Sequence, residues 1–273
     1  MYNYFTKENL KNIMFPILKI NGGAVESFWV LYVLSFIIGG IIFFSQAKKN
    51  NLSLKKAICL IILIAVASLA GSRLGYVLLN LKEFIANPLK IIFFWKGGLT
   101  SFGGIILAIG VSYVFLKKQK EPLGKWFDLG MISFLVGHSI GRIGCFLEGC
   151  CYGLPSQAPW AIKFPSLNDG IPRHPTQLYE SFGYLISFLI VLIINKKIKI
   201  KNGSIFFIGL ALHETVRFIV EYFRSNDIFL FHGNNWYNTL TAAQSLNLLF
   251  IVFSLLAFVF LNQNNKNWSS PNR

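Results

Sequence analysis

The sequence predicts an all-α polytopic membrane protein of about seven transmembrane helices, N-terminus outside and C-terminus cytoplasmic, and three observations predict it. Of 273 residues, 54% are apolar and 14% charged, and the mean hydropathy is +0.54, values that do not suit a water-wetted surface. Apolar runs near residues 24–45, 57–80, 91–116, 126–147, 178–195, 203–223 and 242–262 each approach the roughly 20 residues that cross a bilayer. Lysines gather in every second loop, as alternation across a membrane requires. Residues 1–23 are then an outer N-terminal tail, 24–262 one seven-helix domain and 263–273 a cytoplasmic polar tail. No secretory signal is expected, because the first apolar run follows a polar tail and is too long for a signal h-region.

The first run leads into loop 46–56, which carries Lys48, Lys49, Lys55 and Lys56. The second contains Arg73 and ends in an outward loop near 81–90. The third holds Gly97, Gly98, Gly103 and Gly104, four glycines in eight residues, which weakens helix there. Irregular backbone at membrane depth survives only against protein or a polar cavity, and close packing by small residues is the other reading. Lys117, Lys118, Lys120 and Lys125 follow on the cytoplasmic side.

The fourth run carries His138 and Arg142, and the outward loop after it runs to residue 177 with more Pro, Trp, Asn and Gly than the lysine loops. The fifth run ends at Lys196, Lys197, Lys199 and Lys201. The sixth carries His213, Glu214, Arg217 and Glu221 and is followed by an outward loop over 224–241, and the seventh by the polar tail. Lys7, Lys11 and Lys19 in the outer tail run against the orientation, but twelve loop lysines outweigh them. The formal net charge of +15 is thereby read as topology and attraction to anionic lipid, not as a nucleic-acid surface.

A charged side chain at the bilayer centre costs about 2.5–3.5 kcal/mol, so each intramembrane charge must face protein, water or a polar ligand. His213, Arg217 and Glu221 form one stripe at i, i+4, i+8, and His138 with Arg142 forms another. An ion pair of Arg217 with Glu221 that locks two helices explains part of this. Three arginines against so few buried acids call for an anion, and a guanidinium grips phosphate bidentately at any biological pH. The abundant anion of a bilayer is the phospholipid headgroup. Arg142 lies at the outward end of its run, so the anion site is expected at outer-leaflet depth, with Arg73 and Arg217 converging on it.

Cys145, Cys150 and Cys151 sit close in sequence, but their spacing lacks the paired C-x₂₋₄-C of a zinc site, and adjacent cysteines do not easily share a tetrahedral metal. Small thiols filling a packed helix end are the expectation, with a Cys145–Cys150 disulfide as the oxidised alternative. Arg173 and His174, framed by Pro172 and Pro175, fall at the outer interface, as headgroup contacts or as an interfacial anchor with Tyr179.

Several of these segments resemble the prolipoprotein diacylglyceryl transferase family. They are Gly141-Arg142-Ile143-Gly144-Cys145-Phe146 with Gly149 and Gly153, Trp95-Lys96-Gly97-Gly98 to Gly104, Arg73-Leu74-Gly75-Tyr76, Arg173-His174-Pro175-Thr176-Gln177-Leu178-Tyr179-Glu180, and Arg217-Phe218-Ile219-Val220-Glu221-Tyr222-Phe223-Arg224. The match runs in order from about residue 27 to 260. It implies a multi-pass enzyme of the bacterial plasma membrane that moves the diacylglyceryl group of phosphatidylglycerol onto the lipobox cysteine of a prolipoprotein signal peptide, releasing glycerol phosphate, without metal or cofactor. Arg142, Arg217 and Glu221 are the catalytic residues it implies, and Arg142, Arg73, Gly103, Gly104, Gly153, Arg173 and His174 the substrate-binding ones.

The chain departs from the family at Phe102, where a histidine base is usual, at Phe28 for a tyrosine, at Cys145 and Glu148 for asparagines and at Cys150 for a glutamate. Glu221, Glu148, His174 and His138 are the bases left to choose from. Two other readings follow from those departures: a paralogue using the same lipid donor with another acceptor, and a non-enzymatic transporter or binder of an anionic lipid.

Overall fold

A computed structural model describes residues 17–20, 23–93, 98, 100–224 and 240–263. Seven helices of 18 residues or more follow one another among the described residues: α1 (Ser27–Lys49), α2 (Leu54–Leu79), α4 (Ser101–Lys118), α5 (Leu123–Glu148), α6 (Thr176–Lys197), α7 (Ser204–Glu221) and α8 (Ala242–Gln263), with a short α3 (Leu81–Ala86) after α2. They fall on the seven apolar runs in order. Five of them, α1, α2, α5, α6 and α8, are long and apolar enough to cross a membrane. Their outer faces carry exposed Ile41, Val66, Phe182, Leu249 and Phe260, which suits hydrocarbon, because a helix satisfies its own backbone there.

The third run is not one helix from residue 91. Pro88–Ile91 form a 3-10 turn and α4 begins only at Ser101. Proline at the start of the turn and Gly98 at φ +74° explain the break, since neither continues an α-helix. Two small hairpins add strand to the expected all-helical architecture: β1 (Ile17–Ile20) pairs antiparallel with β2 (Gly23–Glu26), so α1 starts at Ser27 rather than 24. In the loop after α5, β3 (Ile162–Lys163) pairs with β4 (Pro172–Arg173). Residues 1–16, most of the expected tail with Lys7 and Lys11, lie outside the described residues, as do Trp95, Lys96, Gly97, loop 225–239 and the tail 264–273.

The chain folds as two compact units, Phe43–Trp126 and, from its two flanks, Met1–Ile42 with Phe127–Arg273. In the smaller unit α2 and α4 meet backbone to backbone. A Cβ at Gly103 would strike the Gly71 carbonyl, and one at Gly104 the Ser72 hydroxyl and the Ser68 carbonyl. Thr100 donates its N–H to the Ser72 carbonyl at 3.0 Å. The glycine strip is therefore a small-residue helix contact. Glu121, between α4 and α5, accepts from Lys56 Nζ at 2.6 Å and from the Trp126 indole at 2.9 Å, and these contacts hold its carboxyl below the usual carboxylate range.

In the larger unit Met131, Ile132 and Leu135 of α5, Val191 of α6 and Ile205 of α7 form a buried core. Gly209 is the seat for Met131, whose side chain a Cβ would strike. Asp128, buried on α5, accepts from the N–H groups of Gly203 and Phe206, both at 2.7 Å. It thus caps α7 from a neighbouring helix, satisfying amides that a helix start leaves unpaired. This packing places the C-terminal ends of α5 and α7 beside the N-terminal end of α6.

Candidate functional site

Where α5, α6 and α7 meet, one carboxylate gathers three guanidinium groups. Glu180, 2% exposed on the first turns of α6, accepts a hydrogen bond from Arg217 Nη1 of α7. Arg142 Nε of α5 lies 2.7 Å from its other oxygen, an ion pair whose N–H is not aligned as a hydrogen bond to any acceptor among the described residues. Arg224 Nη1, just past α7, stands 3.7 Å away. Three guanidinium groups sharing one carboxylate leave an excess of positive charge in a largely buried place. Burying a charge is costly unless it is compensated, so the surplus defines an anion site.

Arg142 and Arg217 are thus brought together as the sequence led us to expect, but through Glu180 and not through Glu221. Glu221 is buried at the last turn of α7, and the partner of Arg217 is the acid across the helix gap. Glu180 and Arg224 are the residues that sequence reasoning passed over. Glu180 was readable as an acid two residues into an apolar run, and Arg224 as a cation at the far end of the sixth.

Arg73 belongs to the smaller unit. Its Nε donates to the Ile91 carbonyl at 2.9 Å, Nη1 to Gly98 at 3.0 Å and Nη2 to Lys90, and its guanidinium rests over the Phe84 ring at 5.3 Å. There it pins the segment after α3 onto α2. Gly103 and Gly104 are in the same unit, in the α2–α4 contact; the Phe102 side chain is outside what is described.

The loop after α5 is tied to the arginine cluster by backbone. Gly153 donates to the His174 carbonyl at 2.9 Å and Leu154 to Phe223 at 2.8 Å. Any side chain at Gly153 would meet the Phe223 carbonyl and the His174 and Thr176 side chains. Arg173 donates to Asp169 at 2.8 Å and stacks 5.2 Å from the Tyr152 ring; that bond holds the exposed Asp169 carboxyl low. His174 Nδ1 is 3.0 Å from the Tyr179 hydroxyl, which also accepts from Trp160 Nε1 at 2.7 Å. These three rings, with Gly183, Val216, Ile219, Val220 and Phe223, line a cavity of about 380 Å³ with an almost wholly apolar wall.

Below the arginines, His138 Nδ1 and His213 Nε2 are 3.1 Å apart and His213 Nδ1 is 2.9 Å from Glu214. Both imidazoles stack on Tyr184, with ring centroids 4.5 and 4.6 Å away. Glu148, at the end of α5, keeps a buried carboxylate oxygen with no hydrogen-bond partner among the described residues.

Cys145, Cys150 and Cys151 bring their sulfurs within 4.8 Å of one another as free thiols. The Cys145 and Cys150 thiols turned toward Cys151, with Arg142 and Arg224 near, hold its pKa well below the ordinary thiol range. The neighbouring Cys145 and Cys151 thiols, with burial, push that of Cys150 up.

The geometry now has relatives to set beside it. A profile of the prolipoprotein diacylglyceryl transferase family matches residues 16–260. The phosphatidylglycerol–prolipoprotein diacylglyceryl transferase of Campylobacter lari is 31% identical over 266 residues, covering 91% of this chain and 94% of that one. Those of Geobacter sulfurreducens and Finegoldia magna are each 32% identical, over 75% and 76% of this chain and 80% and 83% of theirs. Likeness of that extent, running through every helix that carries the arginine cluster, shows that the chain belongs to the prolipoprotein diacylglyceryl transferase family.

Proposed function

We propose that this protein transfers the diacylglyceryl group of phosphatidylglycerol to the lipobox cysteine of a prolipoprotein signal peptide, in a bacterial plasma membrane, with seven spans, the N-terminus outside and the lysine loops inside. The observation that carries the reading is the excess of guanidinium groups over the one carboxylate, Glu180, that they share. A phosphodiester headgroup brings one negative charge, and the glycerol phosphate that leaves carries up to two. The site therefore matches the product side of the reaction better than the ground state, which is how a binding site lowers a barrier.

In the proposed step the acceptor thiolate attacks the glyceryl carbon bonded to the phosphate oxygen. A C–S bond forms, that C–O bond breaks, and its electron pair leaves with glycerol phosphate. The thiol proton goes to a base before or during attack. Arg142 and Arg217 take the phosphate oxygens, Glu180 holds the two guanidinium groups toward one point, and Arg224 adds field. Glu221, Glu148, His174 and His138 are the bases to be distinguished. Gly153, Arg173 and His174 in the larger unit, and Arg73, Gly103 and Gly104 in the smaller, are further residues proposed to bind substrate.

The test is transfer from labelled phosphatidylglycerol to a lipobox peptide in membranes. Arg142→Ala is expected to lower the rate by about 10²–10³-fold, the loss seen when one preorganised charge donor is removed. Unchanged transfer removes the reading.

A further inference from the structure

We infer that Cys145, Cys150 and Cys151 form a three-sulfur site for a single thiophilic d¹⁰ cation, zinc or monovalent copper, beside the anion site. The spacing in sequence argued against this, and backbone geometry overturns the objection. Gly149 donates to the Phe146 carbonyl and Cys150 to Cys145, both at 3.1 Å, with Gly149 at φ +76°. That is a Schellman ending of α5, which folds the second residue past the helix back over its last turn. An apolar pair usually fills that contact; here it is Cys145 and Cys150. Cys151 then adopts φ +61°, a left-handed conformation uncommon for a residue with a side chain. The turn lets two adjacent cysteines aim at one point, and all three sulfurs lie within 4.8 Å of one another.

Zinc–sulfur bonds of 2.3 Å place tetrahedral ligand atoms about 3.8 Å apart, so a contraction of about 1 Å or less makes the cage. Soft thiolates select copper(I) and zinc over hard cations. The loop is held from outside as a ligand loop must be: Gln177 Nε2 donates to the Cys150 carbonyl and Thr176 Oγ1 to Cys151 at 2.8 Å. Each thiol that ligates gives its proton to solvent, and Arg142 and Arg224 offset the anionic cage. The inference does not rest on the transfer reaction.

The experiment uses the full chain in detergent or nanodiscs, reduced and stripped with chelator. Zn²⁺, and separately Cu⁺ under reductant, are titrated against a competing chromophoric chelator, and thiol alkylation is followed by mass spectrometry. One equivalent per chain of either ion, with Cys145, Cys150 and Cys151 protected together while exposed Cys59 stays reactive, is expected; the tighter of the two names the cation. Cys150→Ser and Cys151→Ser are each expected to weaken binding about a hundredfold, with the wild-type protection pattern as the readout if a variant does not fold. No uptake of either ion, or uptake that leaves the three thiols alkylated at the unliganded rate, overturns the inference.

Discussion

Glu180 shows how much one side chain organises. It touches Arg142, Arg217 and Arg224, so its charge is what lets three partly buried cations share one place. Removing one partner of a buried pair strands the other, at a cost of about 3–5 kcal/mol. Glu180→Gln is therefore expected to lower thermal stability in detergent by that order and to splay the guanidinium groups, seen as weaker protection by added phosphatidylglycerol. A melting temperature equal to wild type would mean that the cluster is not held by this acid. The sequence announced Arg142 and Arg217, because an arginine inside an apolar run has to be explained. It did not announce Glu180, because an acid two residues into a run reads as loop end, and only the pairing of α6 with α5 and α7 brings it inward. The three cysteines were visible, but not their convergence, which depends on two left-handed φ angles.

At the scale of elements, helix starts and contacts carry the fold. Asp128 caps α7 across a helix gap with two charged hydrogen bonds, each worth about 1.5–3 kcal/mol. Asp128→Ala is expected to lose at least one of those increments and to raise amide hydrogen exchange at Gly203 and Phe206 first; uniform exchange across α7 would contradict the cap. In the smaller unit, Gly71→Val is expected to force α2 and α4 apart, since the added atoms meet the Gly103 carbonyl, and cysteine cross-linking between the two helices reads it.

The Glu121 contact with Lys56 and Trp126 gives a pH signature. The folded pKa of Glu121 is lowered, so its stabilisation is complete above the unfolded carboxylate pKa and lost as pH falls through the folded one. A melting-temperature profile from pH 7 to 3 is expected to flatten in Glu121→Gln over that acid window and to be unchanged in shape above it. Boundaries of the long helices were legible to within a few residues because apolar length is conspicuous. The third was not: Pro88 and Gly98 end the regular backbone before Ser101, although apolar residues continue through the break.

For the whole molecule, the exposed apolar faces of the five longest apolar helices require hydrocarbon around them, and the chain is expected to stay in the membrane fraction after alkaline carbonate extraction. The proposed topology places a reporter fused at the C-terminus in the cytoplasm and one fused in the loop after α5 outside; a C-terminal fusion active only outside would invert the proposed orientation. By itself the sequence determined the membrane environment, the order of the helices, the family and the arginines that need an anion, because hydropathy, loop charge and motif order are local along the chain. The tertiary structure alone decided which acid those arginines share, that the glycine strip is a helix contact and that three thiols face one point. The first two are distances between segments far apart in sequence, set by helix packing; the third is local, set by a few backbone angles that residue type permits but does not dictate.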